Sequence, residues 1–324
     1  MSTAPVCDFF IIGAAKAGTT SLHARLQAHP DLFLTEPKEP EFFARDDRYE
    51  AGIDSYAALF AAAKPGQLRG DASTLYSLAP LFPKTAERIK THCPEAKFIY
   101  MLREPVKRCY SYYGQLVKNR QNATQDFEVR RSFEDFLYGE RAKLCPRDDF
   151  FAPFDTHFPD VPEVLTAGSH YCVQIDAYFA HFAPEKFLFL TFEDFIKDQD
   201  AATAKVLEFL GVDRAKMPRQ DATSVNRAVD HNRTVAQSQQ VRGLMRRLGP
   251  VAALRHLVPN GLRQKLRARA LARMPQGTAK THVPQPMRPQ TAAKLAEEFY
   301  ADFDRLETLT GLDLKTAWGR GANG

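Results

Sequence analysis

Three clusters of residues in this chain have the types and spacing for anion and hydroxyl chemistry. The first is Phe9 to Leu22, FFIIGAAKAGTTSL, an apolar run that turns through glycines toward a helix. Gly13 and Gly18 stand five apart, as in the nucleotide-triphosphate loop G-x-x-x-x-G-K-[ST]. Thr19 and Thr20 follow Gly18, however, so the lysine of that loop is missing, and the cation sits inside the turn at Lys16. Backbone N–H groups from Ala17, Gly18, Thr19 and Thr20, with the hydroxyls of Thr19, Thr20 and Ser21 at a helix start, suit a phosphate-like anion. The second cluster is KFIYMLREPVKRCYSYYGQ, residues 97 to 115. Its apolar strand ends at Arg103, Pro105 opens a helix, and Ser111 follows Arg103 by eight residues, about two helical turns. A guanidinium fork and a hydroxyl so placed can bind another phosphate. The plainer reading is that Arg103 salt-bridges Glu104 or a helix and that Ser111 is a solvated helix residue. The third cluster is Lys38-Glu39-Pro40-Glu41-Phe42-Phe43. A carboxylate there can take the proton of an attacking hydroxyl. Glu39 and Glu41 compete for that role on spacing alone, and both could equally be surface charges on a loop anchored by Phe42 and Phe43.

The elements around these clusters alternate between strand and helix. Apolar strands are expected near Asp8–Ile12, Phe98–Leu102 and Phe187–Phe192. Helices are expected after Gly18 to about Ala28, at Ser55–Ala63 and Pro83–Thr91, and from Pro105 to about Lys118. A long helix over Pro162–Phe182 and another over Ala201–Leu210 complete the pattern. Short, wholly apolar strands between helices predict a parallel sheet covered on both faces, an α/β fold. Ligands of such sheets lie at the carboxyl ends of the strands. The first two clusters begin at such ends.

G-A-A-K-A-G-T-T-S-L resembles the 5′-phosphosulfate loop of sulfotransferases that use 3′-phosphoadenosine 5′-phosphosulfate (PAPS), which reads G-x-x-K-x-G-T-[ST]-x-L. Arg103 and Ser111 resemble the pair that binds the cofactor's 3′-phosphate in that family. Lys38 to Phe43 resembles the K-E-x-x-F-F stretch of carbohydrate sulfotransferases, above all the heparan sulfate type, where the matching glutamate, here Glu39, is the proposed base. Gly70-Asp71-Ala72-Ser73-Thr74-Leu75-Tyr76 is similar to the G-E-x-S-P-x-Y acceptor-side segment, with alanine and threonine where heparan-type members have lysine and proline. Gly168-Ser169-His170-Tyr171 is similar to a tyrosine-bearing stretch near the acceptor, KFLFLTFED at 186–194 to a late strand, and Leu295 to Trp318 to the terminal helix of bacterial members. The resemblance implies a P-loop-like three-layer α/β/α fold with a central parallel sheet and a single domain over 1–324. It implies sulfuryl transfer from PAPS, without metal, to a hydroxyl of a small molecule, glycan or glycolipid. Lys16 and Glu39 would be catalytic. Lys16, Ala17, Gly18, Thr19, Thr20, Ser21, Arg103, Ser111 and a late arginine, Arg233 or Arg227, would hold the cofactor, which leaves as 3′-phosphoadenosine 5′-phosphate (PAP). Lys38, Asp71, Ser73, Tyr76, His170 and Tyr171 would line the acceptor. Ala72 in place of a lysine points away from a heavily sulfated polymer.

Charge and cysteine usage narrow the rest. The net charge of +5 comes from one segment: Arg242 to Arg273 holds nine lysines and arginines and no acidic residue, leaving 35 basic against 39 acidic residues elsewhere. Interleaved leucines and two proline breaks make it a basic helical excursion, about 234–285, suited to a membrane surface or an anionic acceptor, or simply a solvated face. No aromatic residues interleave its arginines, which speaks against nucleic acid. Five cysteines without C-x-x-C spacing predict buried, reduced thiols, and the nine histidines lack metal-ligand spacing. The short polar start lacks a cationic leader, so a cytoplasmic protein is expected. Two rival functions remain at this level. A divergent P-loop kinase or NTPase would need a lysine after Gly18, which is absent, and an aspartate ending an apolar strand for Mg²⁺, which Glu193-Asp194 could mimic; a non-catalytic anion- or membrane-binding protein would not depend on Glu39.

Overall fold

The computed structural model describes residues 6–123, 132–138, 163–218 and 285–319. Five strands form one parallel sheet: β1 (Phe9–Gly13), β2 (Leu32–Leu34), β3 (Leu68–Ala72), β4 (Lys97–Leu102) and β5 (Phe187–Thr191), in the order β2-β3-β1-β4-β5. The helices, in chain order, are α1 (Thr19–Leu26), α2 (Asp46–Tyr49), α3 (Ile53–Ala57), α4 (Thr85–His92), α5 (Pro105–Ala123), α6 (Phe133–Tyr138) and α7 (Glu163–Ala167). They continue as α8 (Tyr171–Phe179), α9 (Phe192–Lys197), α10 (Gln199–Leu210), α11 (Pro289–Phe299), α12 (Phe303–Thr310) and α13 (Leu314–Ala317). The chain divides into two compact units. Met1–Tyr113, Phe133–Arg219 and Pro286–Gly324 make the unit that carries the sheet. Gly114–Ser132 and Gln220–Gln285 make the other, and all of the 234–285 basic excursion in it but Gln285 falls outside the described residues.

The inner strands read as unbroken apolar runs because helices cover both faces. Every residue of FFIIG in β1 is buried, as are five of six in KFIYML of β4. Phe10, Phe98 and Phe187 stack across three adjacent strands, with centroids 5.7 Å and 4.7 Å apart. β3 escaped the sequence pattern because its LRGDA is neither apolar nor alternating. Its membership is set by the neighbour: Gly70 pairs with Phe9, whose ring lies 2.2 Å from where a β-carbon on residue 70 would stand. β2 escaped because three residues give no period to read.

Three expected helices are shorter or divided. The long helix over 162–182 breaks at Gly168–His170 into α7 and α8, because Gly168 must sit against the Arg108 guanidinium, 2.8 Å from its would-be β-carbon. The stretch at 55–63 begins earlier, at Ile53, and tightens into a 3-10 turn over Ala58–Phe60. The expected strand to Phe192 stops at Thr191, whose hydroxyl caps α9 by accepting the Asp194 N–H. The C-terminal region is three helices rather than one, interrupted by Gly311 in the left-handed region at φ 67°.

The strand order reverses at the β1–β4 pair: the chain leaves β1 toward β2 and β3, then crosses to β4 and β5. The crevice at the carboxyl ends of β1 and β4 is therefore the switch point at which an α/β sheet binds ligands.

Candidate active site

The loop between β1 and α1 is held to β4 by the Ala14 N–H, which donates to the Met101 carbonyl at 2.7 Å. Gly18 closes it with φ 88°, and a β-carbon there would stand 3.0 Å from the Phe192 ring, so only glycine fits without strain. Lys16 also lies in the left-handed region, at φ 76°. One expectation changes here. Ala17 is fully buried and its N–H donates to the Ala14 carbonyl at 3.0 Å, so it is spent on the turn. The N–H groups of Gly18, Thr19 and Thr20 take no backbone partner among the described residues, and they open the positive end of α1. Ser21 follows, its own N–H bonded to the Gly18 carbonyl at 3.0 Å.

Arg103 spans the crevice. Its Nη1 donates to the Lys16 carbonyl at 2.9 Å, joining the first two clusters, and its guanidinium lies over the Phe192 ring, 4.6 Å from the centroid. Its Nε is buried without a hydrogen-bond partner. Burial draws its pKa down, opposed by the nearby Glu193 carboxylate. The Arg103–Glu104 ion pair weighed above is not how Arg103 is held. Ser111 lies on α5, partly exposed.

The third cluster is a strained loop. Glu39 and Glu41 both adopt left-handed backbone, at φ 62° and 54°. Such a conformation persists only where its surroundings impose it. Arg48 donates to the carbonyls of Glu39 and Pro40, the Glu41 N–H donates to Ser73 Oγ at 3.0 Å, and the Phe43 N–H reaches the Tyr76 oxygen at 3.4 Å. The two carboxylates are thereby separated in role. Glu41 Oε2 lies 3.2 Å from Arg48 and 3.9 Å from Arg45. Glu39, with 39% of its side chain exposed, pairs with Lys38 at 2.5 Å. The charges of Glu39 and Glu41 also reach Tyr112, the residue after Ser111; its phenol is pushed up first by burial, with Arg108 opposing and the two glutamates adding to the rise.

Asp71, Ser73 and Tyr76 do not line an open acceptor face. All three are fully buried. Asp71 accepts from Ser73 at 2.7 Å, Tyr76 at 2.8 Å and Tyr56 at 2.9 Å. Burial raises its pKa to about 6, against those three hydroxyls and the charge of Lys38. Their visible work is to brace the Glu39 loop. Tyr171 is likewise turned inward: its hydroxyl donates to the Arg103 carbonyl at 2.7 Å and accepts the Arg103 N–H at 3.1 Å. His170 faces α11, with Nε2 3.0 Å from Glu298 and its ring edge-on to Phe299. Arg227 and Arg233 lie outside the described residues.

Some supporting residues carried no signal in the sequence. Arg108 is fully buried, with Nε donating to Ser169 Oγ at 2.7 Å and another nitrogen to the Leu165 carbonyl. Arg48 and Tyr56 look like ordinary surface and helix residues in the sequence. Glu193 and Asp194, the carboxylates an NTPase would need for metal, are otherwise engaged: Glu193 accepts from the Glu104 N–H and the Trp318 indole, and Asp194 bonds reciprocally with Thr191.

A family model described as a sulfotransferase domain matches residues 7–251. Carbohydrate sulfotransferase 15 of Mus musculus is 27% identical over an alignment covering 69% of this chain and 48% of that protein. Heparan sulfate glucosamine 3-O-sulfotransferase 6 of Homo sapiens is 28% identical, covering 63% of this chain and 52% of the other. The chain thus spans about half the length of these curated relatives. The crystal structure of a sulfotransferase from Alicyclobacillus acidocaldarius is similar in fold, with TM-score 0.61 and 24% identity over 96% of this chain and 98% of that one. A family match over most of the chain and a P-loop-like α/β fold, with its anion loop at the switch point of the sheet, agree: the chain belongs to the sulfotransferase family.

Proposed function

We propose that this protein catalyses sulfuryl transfer from PAPS to an acceptor hydroxyl, of a carbohydrate or glycolipid. The observation that carries the reading is the Arg103–Lys16 hydrogen bond, which fixes two anion-binding elements as one unit across the β1–β4 crevice. The donor set fits a nucleotide with two separate anionic ends. Three N–H groups without backbone partners open α1, while Arg103 keeps a buried Nε without a partner on the other side. PAPS, when bound, supplies the activated sulfuryl group.

In this reading Gly18, Thr19, Thr20 and Ser21 hold the 5′-phosphosulfate, and Lys16 offsets charge that grows on the leaving oxygen, a task worth most where water is excluded. Arg103 and Ser111 take the 3′-phosphate. Glu39 accepts the acceptor's proton; it is the better base because Glu41 is already neutralised by Arg48 and Arg45. The Lys38 ammonium pairs with Glu39 and orients it. Ala72, small and fully buried, offers no cation to a sulfated polymer, which favours a less charged glycan or glycolipid. The named activities of the two curated relatives, on carbohydrate and on heparan sulfate glucosamine, support a sugar hydroxyl.

The test is thermal unfolding with PAP, ADP and ATP–Mg²⁺ on the parent and on Arg103→Ala. A ligand confined to the folded state stabilises it by RT ln(1 + [L]/Kd), about 2.7 kcal/mol at a hundredfold excess over Kd. PAP alone should raise Tm, and Arg103→Ala should cancel the rise. Stabilisation by ATP–Mg²⁺ instead would overturn the reading in favour of an NTPase.

A further inference from the structure

The turn that presents Arg103 is gripped from the far end of the chain. Glu104, nearly buried, accepts the N–H groups of Val106 at 3.1 Å and Lys107 at 2.8 Å, capping α5, and accepts the Tyr300 hydroxyl at 2.6 Å. The Glu104 N–H donates to Glu193 Oε1 at 3.2 Å, and Glu193 Oε2 accepts the Trp318 indole N–H at 3.1 Å. Glu193 follows Phe192, the residue whose ring lies beneath the Arg103 guanidinium. Trp318 packs beside Tyr171, centroids 6.2 Å apart, and Tyr171 holds both backbone groups of Arg103. Tyr300, Phe303 and Trp318 pack on one another, with centroids between 5.4 Å and 6.4 Å. Glu104, Glu193 and Tyr171, three of the groups that hold the Arg103 turn, thus each contact one C-terminal aromatic cluster. A guanidinium fork recognises phosphate only when its plane is fixed within a fraction of an ångström.

We propose that Tyr300 and Trp318 are positioning residues for the nucleotide's 3′-phosphate, acting through Glu104 and Glu193 on Arg103. The inference rests on the reading above that Arg103 receives that phosphate. Neither residue needs to touch the ligand. Tyr300 fixes the Glu104 carboxylate and so the first turn of α5, the helix that also bears Ser111. Trp318 fixes Glu193 and thereby the start of α9, which carries both the ring under Arg103 and the acceptor for the next backbone N–H. The short sequence LDLKTAW at 312–318 thus serves the cofactor end of the site from more than 200 residues away.

The experiment is calorimetric titration of the full chain with PAP and, separately, with 5′-AMP, which lacks the 3′-phosphate. The proteins are the parent, Trp318→Phe, Tyr300→Phe, Arg103→Ala and the Arg103→Ala/Trp318→Phe pair. Both aromatic substitutions keep a ring and remove one donor; either folded variant suffices to decide. The expected result is PAP affinity lowered about fivefold in Trp318→Phe and Tyr300→Phe, the scale of one lost hydrogen bond. AMP affinity should be unchanged, and Trp318→Phe should cost nothing further once Arg103 is alanine. Equal weakening of both nucleotides would show a general structural role and overturn the proposal, as would unchanged PAP affinity or an undiminished loss in the Arg103→Ala background. A parent that binds PAP no better than AMP would instead overturn the assignment of Arg103, and this inference with it.

Discussion

Asp71 offers a measurable contest between two forces. Burial disfavours its charge, while three hydroxyls, from Ser73, Tyr76 and Tyr56, and the Lys38 ammonium favour it. Burial wins, and the carboxyl is raised from an ordinary 3.8 to about 6. A group that binds its proton more tightly when folded lends most stability below its unfolded pKa and loses that contribution as pH rises through the folded one. The gap of about two units, at about 1.36 kcal/mol each, is worth about 3 kcal/mol in all, of which about 2 kcal/mol is lost between pH 4 and pH 6. Its buried neighbours Cys7, Tyr56 and Tyr76 are all pushed well above their ordinary values, so they stay protonated and do not blur this window. The assay is urea unfolding of the parent and Asp71→Asn at half-unit steps from pH 4 to pH 7.5. Subtracting the two curves removes the titrations they share. The parent's stability relative to the variant should fall by about 2 kcal/mol from pH 4 to pH 6 and level by about pH 7. A flat difference would show that the carboxyl titrates normally. A difference rising with pH would show that the hydroxyls outweigh burial, and would refute the argument outright.

Two further outcomes test the site and the sheet. Glu39→Gln should abolish transfer while leaving PAP affinity within twofold, whereas Glu41→Gln should retain transfer at a reduced rate through loosening of the loop; product analysis with a panel of hydroxylated acceptors separates them, and the reverse result moves the base to Glu41. Gly70→Ala should destabilise the fold by about 1–3 kcal/mol, the range of overpacked cores, because its β-carbon would enter the Phe9 ring, and a urea midpoint equal to the parent's would contradict that packing.

What could be read in the sequence was whatever depends on neighbours along the chain. The P-loop-like turn, the strand ending at Arg103 and the spacing to Ser111 are each contained within a few turns of backbone, and the pattern of apolar runs gave β1, β4, β5 and the parallel sheet. What could not be read depends on who faces whom. Asp71, Ser73 and Tyr76 sit in a segment whose resemblance suggests an acceptor wall, yet all three are buried: Asp71 on β3, an interior strand placed by its pairing with β1, and Ser73 and Tyr76 at the 3-10 turn over Thr74–Ser77 that follows. Ala17 looked like one more donor in a cradle until the turn closed on Ala14. The break at Gly168 needed the position of Arg108, sixty residues earlier, to be seen.

The proposed choice of Glu39 over Glu41 rests on strain and charge, since spacing leaves the role open. Both carboxylates leave a left-handed backbone two residues apart, so the loop spends conformational energy, of order 1–2 kcal/mol for each residue, to hold them. That cost is met by bonds to the loop's backbone: from Arg48, and to Ser73 and Tyr76, both of which end on Asp71. Arg48 does both jobs, since the guanidinium that ties the Glu39 and Pro40 carbonyls also pairs with Glu41. A base must be free to receive a proton and must face the substrate. Glu41 is held by the arginine that shapes the loop, so protonating it would break that support, whereas Glu39 pairs with Lys38 and not with that arginine. On the proposed mechanism, one carboxylate of the loop secures the geometry and the other is left to do chemistry.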